Sequence, residues 1–180
     1  SIYARSDNGT EFGYGYYYIR GLDQTRINVT LDGMPWNEGE DFGTYFANSP
    51  DLMASMHSAK VERGTSSKTN GVSAAAGNVN LESVNLRQDT ISYVQGMYGS
   101  FDTYKASVVY NMGLKKGFGL HLKATTSHTD GYRRNSWNNS HAFTAKFGYY
   151  FNDRHSIDVL SINGYHSNCQ GWIGSTKAEL

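Results

Sequence analysis

The sequence predicts a mainly β protein: a small α+β domain followed by antiparallel strands of a transmembrane barrel. Three observations carry this. Residues 1–84 hold short strands broken by Gly-rich turns, with Ile27, Val29 and Leu31 alternating against Arg26, Asn28 and Thr30. From residue 85 onward, three segments of about ten residues alternate strictly between apolar and polar, the span of a tilted membrane strand. The composition pairs only 38% hydrophobic residues with 14% aromatics and 20 glycines, a profile that suits a wall facing lipid on one side and water on the other.

The charge balance narrows the functional classes. Sixteen basic and sixteen acidic residues cancel, so no broad field points to nucleic acid. No apolar run approaches the ~18 residues of a membrane helix, and no signal peptide opens the chain. For an exported protein, this suggests a mature form or an internal piece. Cys169 is single, so no disulfide framework can be read.

Residues 1–16 are polar and Gly-rich, with a turn signal at Asp7-Asn8-Gly9. Ile19-Arg20-Gly21 precedes the strand ending at Leu31. Asp32-Gly33 then supplies positive φ for a tight turn and Pro35 fixes the exit. Trp36 to Pro50 keeps no sustained period and reads as a loop. Asp51 to Ala59 predicts a short helix with Ser49 or Asp51 as its N-cap. Lys60 to Glu62 reads as a short strand, followed by Arg63-Gly64. Gly64 to Gly77 is almost entirely small residues, suited to backbone packed closely against a wall. Asn78 to Glu82 returns to alternation.

The order Ile19-Arg20-Gly21, strand, Asp32-Gly33-Met34-Pro35, spacer, Val61-Glu62-Arg63-Gly64, small-residue run, Asn78-Val79-Asn80-Leu81 resembles the plug domain of TonB-dependent outer-membrane receptors. Each triplet is weak alone; the ordered set, over residues 15–83, is specific. The resemblance implies a plug inside a barrel of about 22 strands. It also implies that the first plug strands and the segment that pairs with TonB are missing from this sequence.

In the second half, Tyr104, Ala106, Val108, Tyr110, Met112 and Leu114 form one face against Lys105, Ser107, Val109 and Asn111. Phe118, Leu120, Leu122, Ala124 and Thr126 alternate with Gly119, His121, Lys123 and Thr125. Phe143, Ala145, Phe147, Tyr149 and Phe151 alternate with Ala142, Thr144, Lys146 and Gly148. Strands near Ile91–Tyr98 and Ser156–Tyr165 alternate less cleanly. Lys115-Lys116-Gly117 and Asn152-Asp153-Arg154-His155 are tight connections, whereas Thr129 to Asn139 is long and aromatic. Short turns belong on the periplasmic side and long loops outside, so the first strand runs outward and Lys105, Lys123 and Lys146 face the lumen.

The candidate site follows from this topology. Arg20 and Arg63 each sit beside a glycine. The resemblance implies that they meet glutamates on the barrel wall, with Glu62 pointing to the other face and needing a partner of its own. Gly21, Asp32, Gly33, Pro35 and Gly64 are the turn residues of the motif. The outer apices, Arg5–Thr10 and Trp36–Asn48, would enclose a ligand chamber with the loops Thr129–Asn139 and Asn168–Gly174. Trp36, Tyr45, Phe46, Tyr132, Trp137 and Trp172 offer rings there, and Arg133 and Arg134 offer charge for an anionic chelate. His128-Thr129-Asp130 and Asn168-Cys169 lack a ligand set of recognised spacing and read as structural, so no metal or cofactor is expected.

No nucleophile with a supporting context is present, so an enzyme is not expected. The resemblance implies active import of a scarce solute, most often a ferric siderophore. Its partners would be TonB and the inner-membrane energy-coupling complex, with lipid and lipopolysaccharide around the barrel. A glycan or peptide importer with a lipoprotein partner is an alternative. Those relatives usually carry Lys-Asp-Ala where this chain has Arg63-Gly64-Thr65. A receptor-like barrel serving a structural or signalling role in an envelope assembly is a third.

Overall fold

A computed structural model of the chain describes residues 2–64, 75–152 and 154–169. Strands β1 (Ile2–Ser6) and β2 (Gly15–Ile19) form an antiparallel hairpin. β3 (Ile27–Leu31), β4 (Met34–Pro35), β5 (Met56–Arg63) and β6 (Gly77–Ser83) form a sheet of order β4-β3-β6-β5. β7 (Tyr93–Gly99), β8 (Thr103–Lys115), β9 (Phe118–Thr129), β10 (Asn138–Asn152) and β11 (His155–Asn168) form an antiparallel meander.

β3 is buried on both faces rather than half-buried as its alternation predicts. It pairs in parallel with β6, and parallel strands are commonly covered on both sides. Its polar residues are absorbed inside the sheet; Thr30 Oγ1 donates to Asn80 Oδ1 at 2.7 Å. The turn after it forms as predicted, with Asp32 at φ 49° and Gly33 at φ 83°. The Asp32 carboxylate accepts from Ser83 N and Ser83 Oγ, tying that turn to the end of β6.

The helix predicted over Asp51–Ala59 does not form, and among the described residues there is no α-helix. A single 3-10 turn, Met53–Ser55, leads directly into β5. The spacing of Leu52, Met56 and Ala59 fits a helix, but pairing of Met56–Arg63 along β6 wins, as tertiary context commonly overrides weak propensity. The short strand expected at Lys60–Glu62 is thus the end of a longer one. The small-residue run Gly64–Gly77 lies mostly outside the described residues.

The five-strand sheet follows the predicted alternation. In β9, Gly119, His121, Lys123, Thr125, Ser127 and Thr129 are buried while the intervening residues are partly or fully exposed. Lys105, Lys123 and Lys146 all turn toward the first domain. Lys146 Nζ donates to Ser83 Oγ at 2.8 Å and to the Val84 carbonyl at 2.9 Å. Tyr104 and Phe147 lie on the opposite, exposed face. One segment departs from the expected phase. A bulge between Asn111 and Gly113 shifts β8 by one residue, so Leu114 pairs with Gly119 on the inner phase and not with the outer row. β11 alternates poorly because both faces are apolar: Ile157 and Val159 are exposed on the outer face, and Leu160 and Ile162 pack on the first domain's core.

The connections have the expected lengths. Lys116 and Gly117, at φ 51° and φ 86°, make a two-residue hairpin between β8 and β9. The β9–β10 loop spans residues 130–137. Leu86, in the segment joining the sheets, is 1% exposed and wedged against the cross-strand pair Gly119 and Gly148. A Cβ on Gly148 would come within 2.6 Å of Leu86 Cδ1, so the glycine pair forms the socket.

The outward face gives a direct test. Leu122 lies in mid-strand on that face. Leu122→Lys should destabilise the inserted barrel by about 2–4 kcal/mol, measured by reversible folding of the full-length protein into bilayers. A cost near zero would overturn the assignment of faces.

Candidate functional site

The tip of the β1–β2 hairpin is built by Asn8, 5% exposed. Its Oδ1 accepts from Ser6 Oγ at 2.7 Å and Thr10 N at 2.9 Å, and its amide donates to the Phe12 carbonyl. Gly9, at φ 74°, lies directly against Tyr132; an added Cβ would sit 2.8 Å from that residue's Cβ. Tyr132 N donates to the Asn8 carbonyl at 2.7 Å. The Arg5–Thr10 apex and the loop within Thr129–Asn139 therefore meet, as the topology predicts.

The loop presents Tyr132, Arg133, Arg134 and Trp137 exposed in a row. The Tyr132 ring stands edge-on to Phe101 at 5.5 Å. Neither arginine forms an ion pair among the described residues. Cys169 N donates to the Trp137 carbonyl at 2.9 Å, bringing the end of β11 alongside. Trp172 lies outside the described residues.

The rings of the Trp36–Asn48 loop are used differently. Trp36 and Phe46 pack against the core of the first domain, with Phe46 5.5 Å from Tyr17. Asn37 sets the loop: its Oδ1 accepts from Val29 N at 2.7 Å while its amide donates to the Ile27 and Phe42 carbonyls at 2.8 and 2.7 Å. It thereby continues the free edge of β3 beyond β4. The Tyr45 hydroxyl donates to Asp41, whose carboxyl that hydrogen bond holds below the usual range. Tyr14 Oη reaches Asn48 Oδ1 at 2.8 Å, joining this loop to the hairpin.

The contact between domains centres on a residue that sequence reasoning assigned to a helix cap. Asp51, at φ 61°, inserts its carboxylate between two wall strands. It pairs with Lys105 of β8 and with Lys123 of β9, the latter at 2.8 Å, and accepts from Thr125 Oγ1 at 2.8 Å. Lys123 also donates to the Ala54 carbonyl at 2.7 Å. The side chains of Asp51 and Lys123 are each 5% exposed. Burial pushes the Asp51 carboxyl up, but hydrogen bonds from Lys105 and Lys123 outweigh it and hold the group below its ordinary value. Pro50 packs beside Gly164 of β11, where a Cβ would sit 2.6 Å from the proline ring. The available signal was two inward-facing lysines, Lys105 and Lys123, with no acid on β8 or β9 to neutralise them.

Arg20 and Arg63 are exposed, and neither has a carboxylate partner among the described residues. A guanidinium nitrogen of Arg20 lies 3.6 Å from where a Cβ on Gly64 would sit, so the two strand ends adjoin. Glu62 pairs with Lys60 on the same face of β5 at 2.8 Å. Its partner is thus internal to the domain. Gly21 and Gly64 adopt φ 81° and φ 100°, the left-handed backbone their places in the motif require.

A hairpin, a four-stranded sheet with one parallel pair and a strand-end arginine motif, docked by one face on an antiparallel meander, is the arrangement expected of a plug against a barrel wall. Residues 1–78 match the family described as TonB-dependent Receptor Plug Domain. The chain's first 78 residues carry a TonB-dependent receptor plug. No curated protein is similar to it by sequence alone. Among solved structures, the ferripyoverdine receptor of Pseudomonas aeruginosa shares the fold at TM-score 0.65 and 16% identity, over 86% of this chain and 20% of that one. The ferric-catecholate import receptor Fiu of E. coli K12, in its closed form, matches at TM-score 0.69 and 17% identity, over 93% of this chain and 22% of that one. The copper transporter OprC matches at TM-score 0.73 and 12% identity, over 94% and 27%. The chain thus spans about a quarter or less of those receptors' length. The plug match and the shared fold relate residues 1–78 to the plug of TonB-dependent receptors and the following strands to the wall of such a barrel.

Proposed function

We propose that the complete protein imports a ferric siderophore or related iron chelate across the outer membrane. On this reading, residues 1–84 are the plug and residues 85–180 hold the first strands of the barrel wall. The observation that carries it is the outer loop itself: Arg133 and Arg134 stand exposed beside Tyr132 and Trp137, on a loop hydrogen-bonded to the plug apex. Two guanidinium forks between aromatic rings suit a bulky anionic chelate, because each fork gives charge-assisted hydrogen bonds and the rings cover its apolar parts. Trp36, Tyr45 and Phe46 support the plug side of this chamber. Energy would come from TonB and its inner-membrane complex, which act on the plug; lipid and lipopolysaccharide surround the barrel, and no nucleic-acid partner is proposed.

The fold does not choose the cargo, since structures described as iron and copper transporters share it. The loop charges are what support an anionic chelate. In the full-length receptor, Arg133→Ala combined with Arg134→Ala should weaken binding of an anionic ferric chelate about tenfold or more, ~1.4 kcal/mol, with barrel assembly unchanged. Tryptophan quenching by the chelate measures it. Unchanged affinity in the double variant would move the chamber to other loops, and preferential binding of an uncharged oligosaccharide would favour the glycan importer instead.

A further inference from the structure

We propose that Asp102, His128 and Asp130 form a divalent-cation site on the outer rim of the wall, separate from the solute chamber. The three come from different places: Asp102 from the β7–β8 turn, His128 from the end of β9, and Asp130 from the start of the next loop. One ligand atom from each lies within 4.8 Å of the others. His128 Nε2 is 3.3 Å from Asp130 Oδ1 and 3.8 Å from Asp102 Oδ2. Metal–ligand bonds of about 2.0–2.2 Å at tetrahedral angles place neighbouring ligand atoms about 3.3–3.6 Å apart. A small movement of the exposed Asp102 side chain closes the set.

A second observation concerns the direction of the imidazole. His128 Nδ1 lies 2.5 Å from Asn139 Oδ1, the directly opposed residue on β10. Asn139 Oδ1 accepts from Nδ1–H there, so Nε2 is the ring nitrogen that faces the two carboxylates. This is the second-shell arrangement that orients a histidine ligand toward a metal. The backbone holds it in place: Asp130 N donates to the Phe101 carbonyl at 2.8 Å, and Thr103 Oγ1 meets Thr129 Oγ1 at 2.7 Å behind it. Tyr98 Oη occupies Asp102 Oδ1 at 3.2 Å and leaves Oδ2 turned to the site.

One imidazole with two carboxylates suits a borderline cation such as Zn²⁺, Co²⁺ or Ni²⁺ better than Ca²⁺ or Mg²⁺, which favour all-oxygen shells. The position fixes the role. His128 pairs with Tyr104 on the outward phase of the sheet, opposite to the plug-facing lysines. A bound ion would staple the first outer turn to the second outer loop, leaving its remaining positions to water. This inference does not depend on the identity of the cargo.

The test is titration of the full-length, chelator-stripped receptor with Co²⁺, followed by its visible absorption. The wild type should bind one more equivalent than His128→Gln or Asp130→Asn, and Asn139→Ala should weaken that equivalent about 10–100-fold. Heat-dependent migration reports barrel assembly; should His128→Gln fail to assemble, Asp130→Asn decides. Equal stoichiometry and affinity in wild type and Asp130→Asn would overturn the site and leave a surface cluster of one imidazole and two carboxylates.

Discussion

Asp51→Ala should loosen the plug from the wall and cost about 3–5 kcal/mol, the penalty for removing one member of a buried ion pair. The large figure follows from what stays behind. Lys123 is 5% exposed and Lys105 19%, so both ammonium groups would remain desolvated and close to one another. Asp51→Asn keeps the shape and the contact with Thr125 but removes the charge, and should fall between wild type and Ala. Lys123→Met should cost less, because Asp51 keeps Lys105 and the new side chain can pack.

The same pair predicts a response to acid. The folded carboxyl titrates below its unfolded value of about 4, so its stabilising contribution is fully present above that pH. It is lost as the pH falls through the depressed folded value. Hydrogen exchange of β5 and β6 in the intact receptor reads both effects. Exchange in Asp51→Ala no faster than in wild type would show that the apolar contacts of Leu160 and Ile162 seat the plug on their own.

What the sequence disclosed and what it hid have distinct causes. Strands β8 to β10 are legible because lipid and plug impose opposite demands on alternate residues, so the period is written into the chain. β11 is blurred because the plug contact replaces water with Leu160 and Ile162 on its inner face. The hairpin β1–β2 is hidden because Tyr16, Tyr17 and Tyr18 are all aromatic; only Tyr17 packs on the core. The apex-to-loop meeting was readable from loop lengths together with the plug resemblance. The Asp51 seat was not, since its partners lie 54 or more residues away and no local pattern marks a carboxylate for a lysine on another element. The turn bearing Asp32 and Gly33 was legible because its backbone geometry admits few residue types.

Arg63→Ala should produce a plug that leaks small solutes while the barrel stays inserted. The geometry sets up the expectation without supplying the partner. Arg63 ends β5, and the Arg20 guanidinium lies over Gly64, the residue that follows it. Two cations at adjoining strand ends repel unless carboxylates separate them, and Glu62, the nearest acid in sequence, is engaged by Lys60. We therefore propose that the carboxylates come from wall strands outside this chain and take each guanidinium in a two-pronged hydrogen bond. Enclosed in a barrel, such a pair loses about 3–5 kcal/mol when one member is removed. Arg63→Lys should not restore the seal, because an ammonium lacks the planar fork. Gly64→Ala should weaken it as well, since φ 100° strains any side chain there. Efflux of a small antibiotic through the full-length receptor in liposomes measures the leak. Wild-type tightness in Arg63→Ala, or in the Arg20→Ala and Arg63→Ala double variant, would leave the arginines as markers of a turn and assign the lock to Asp51 alone.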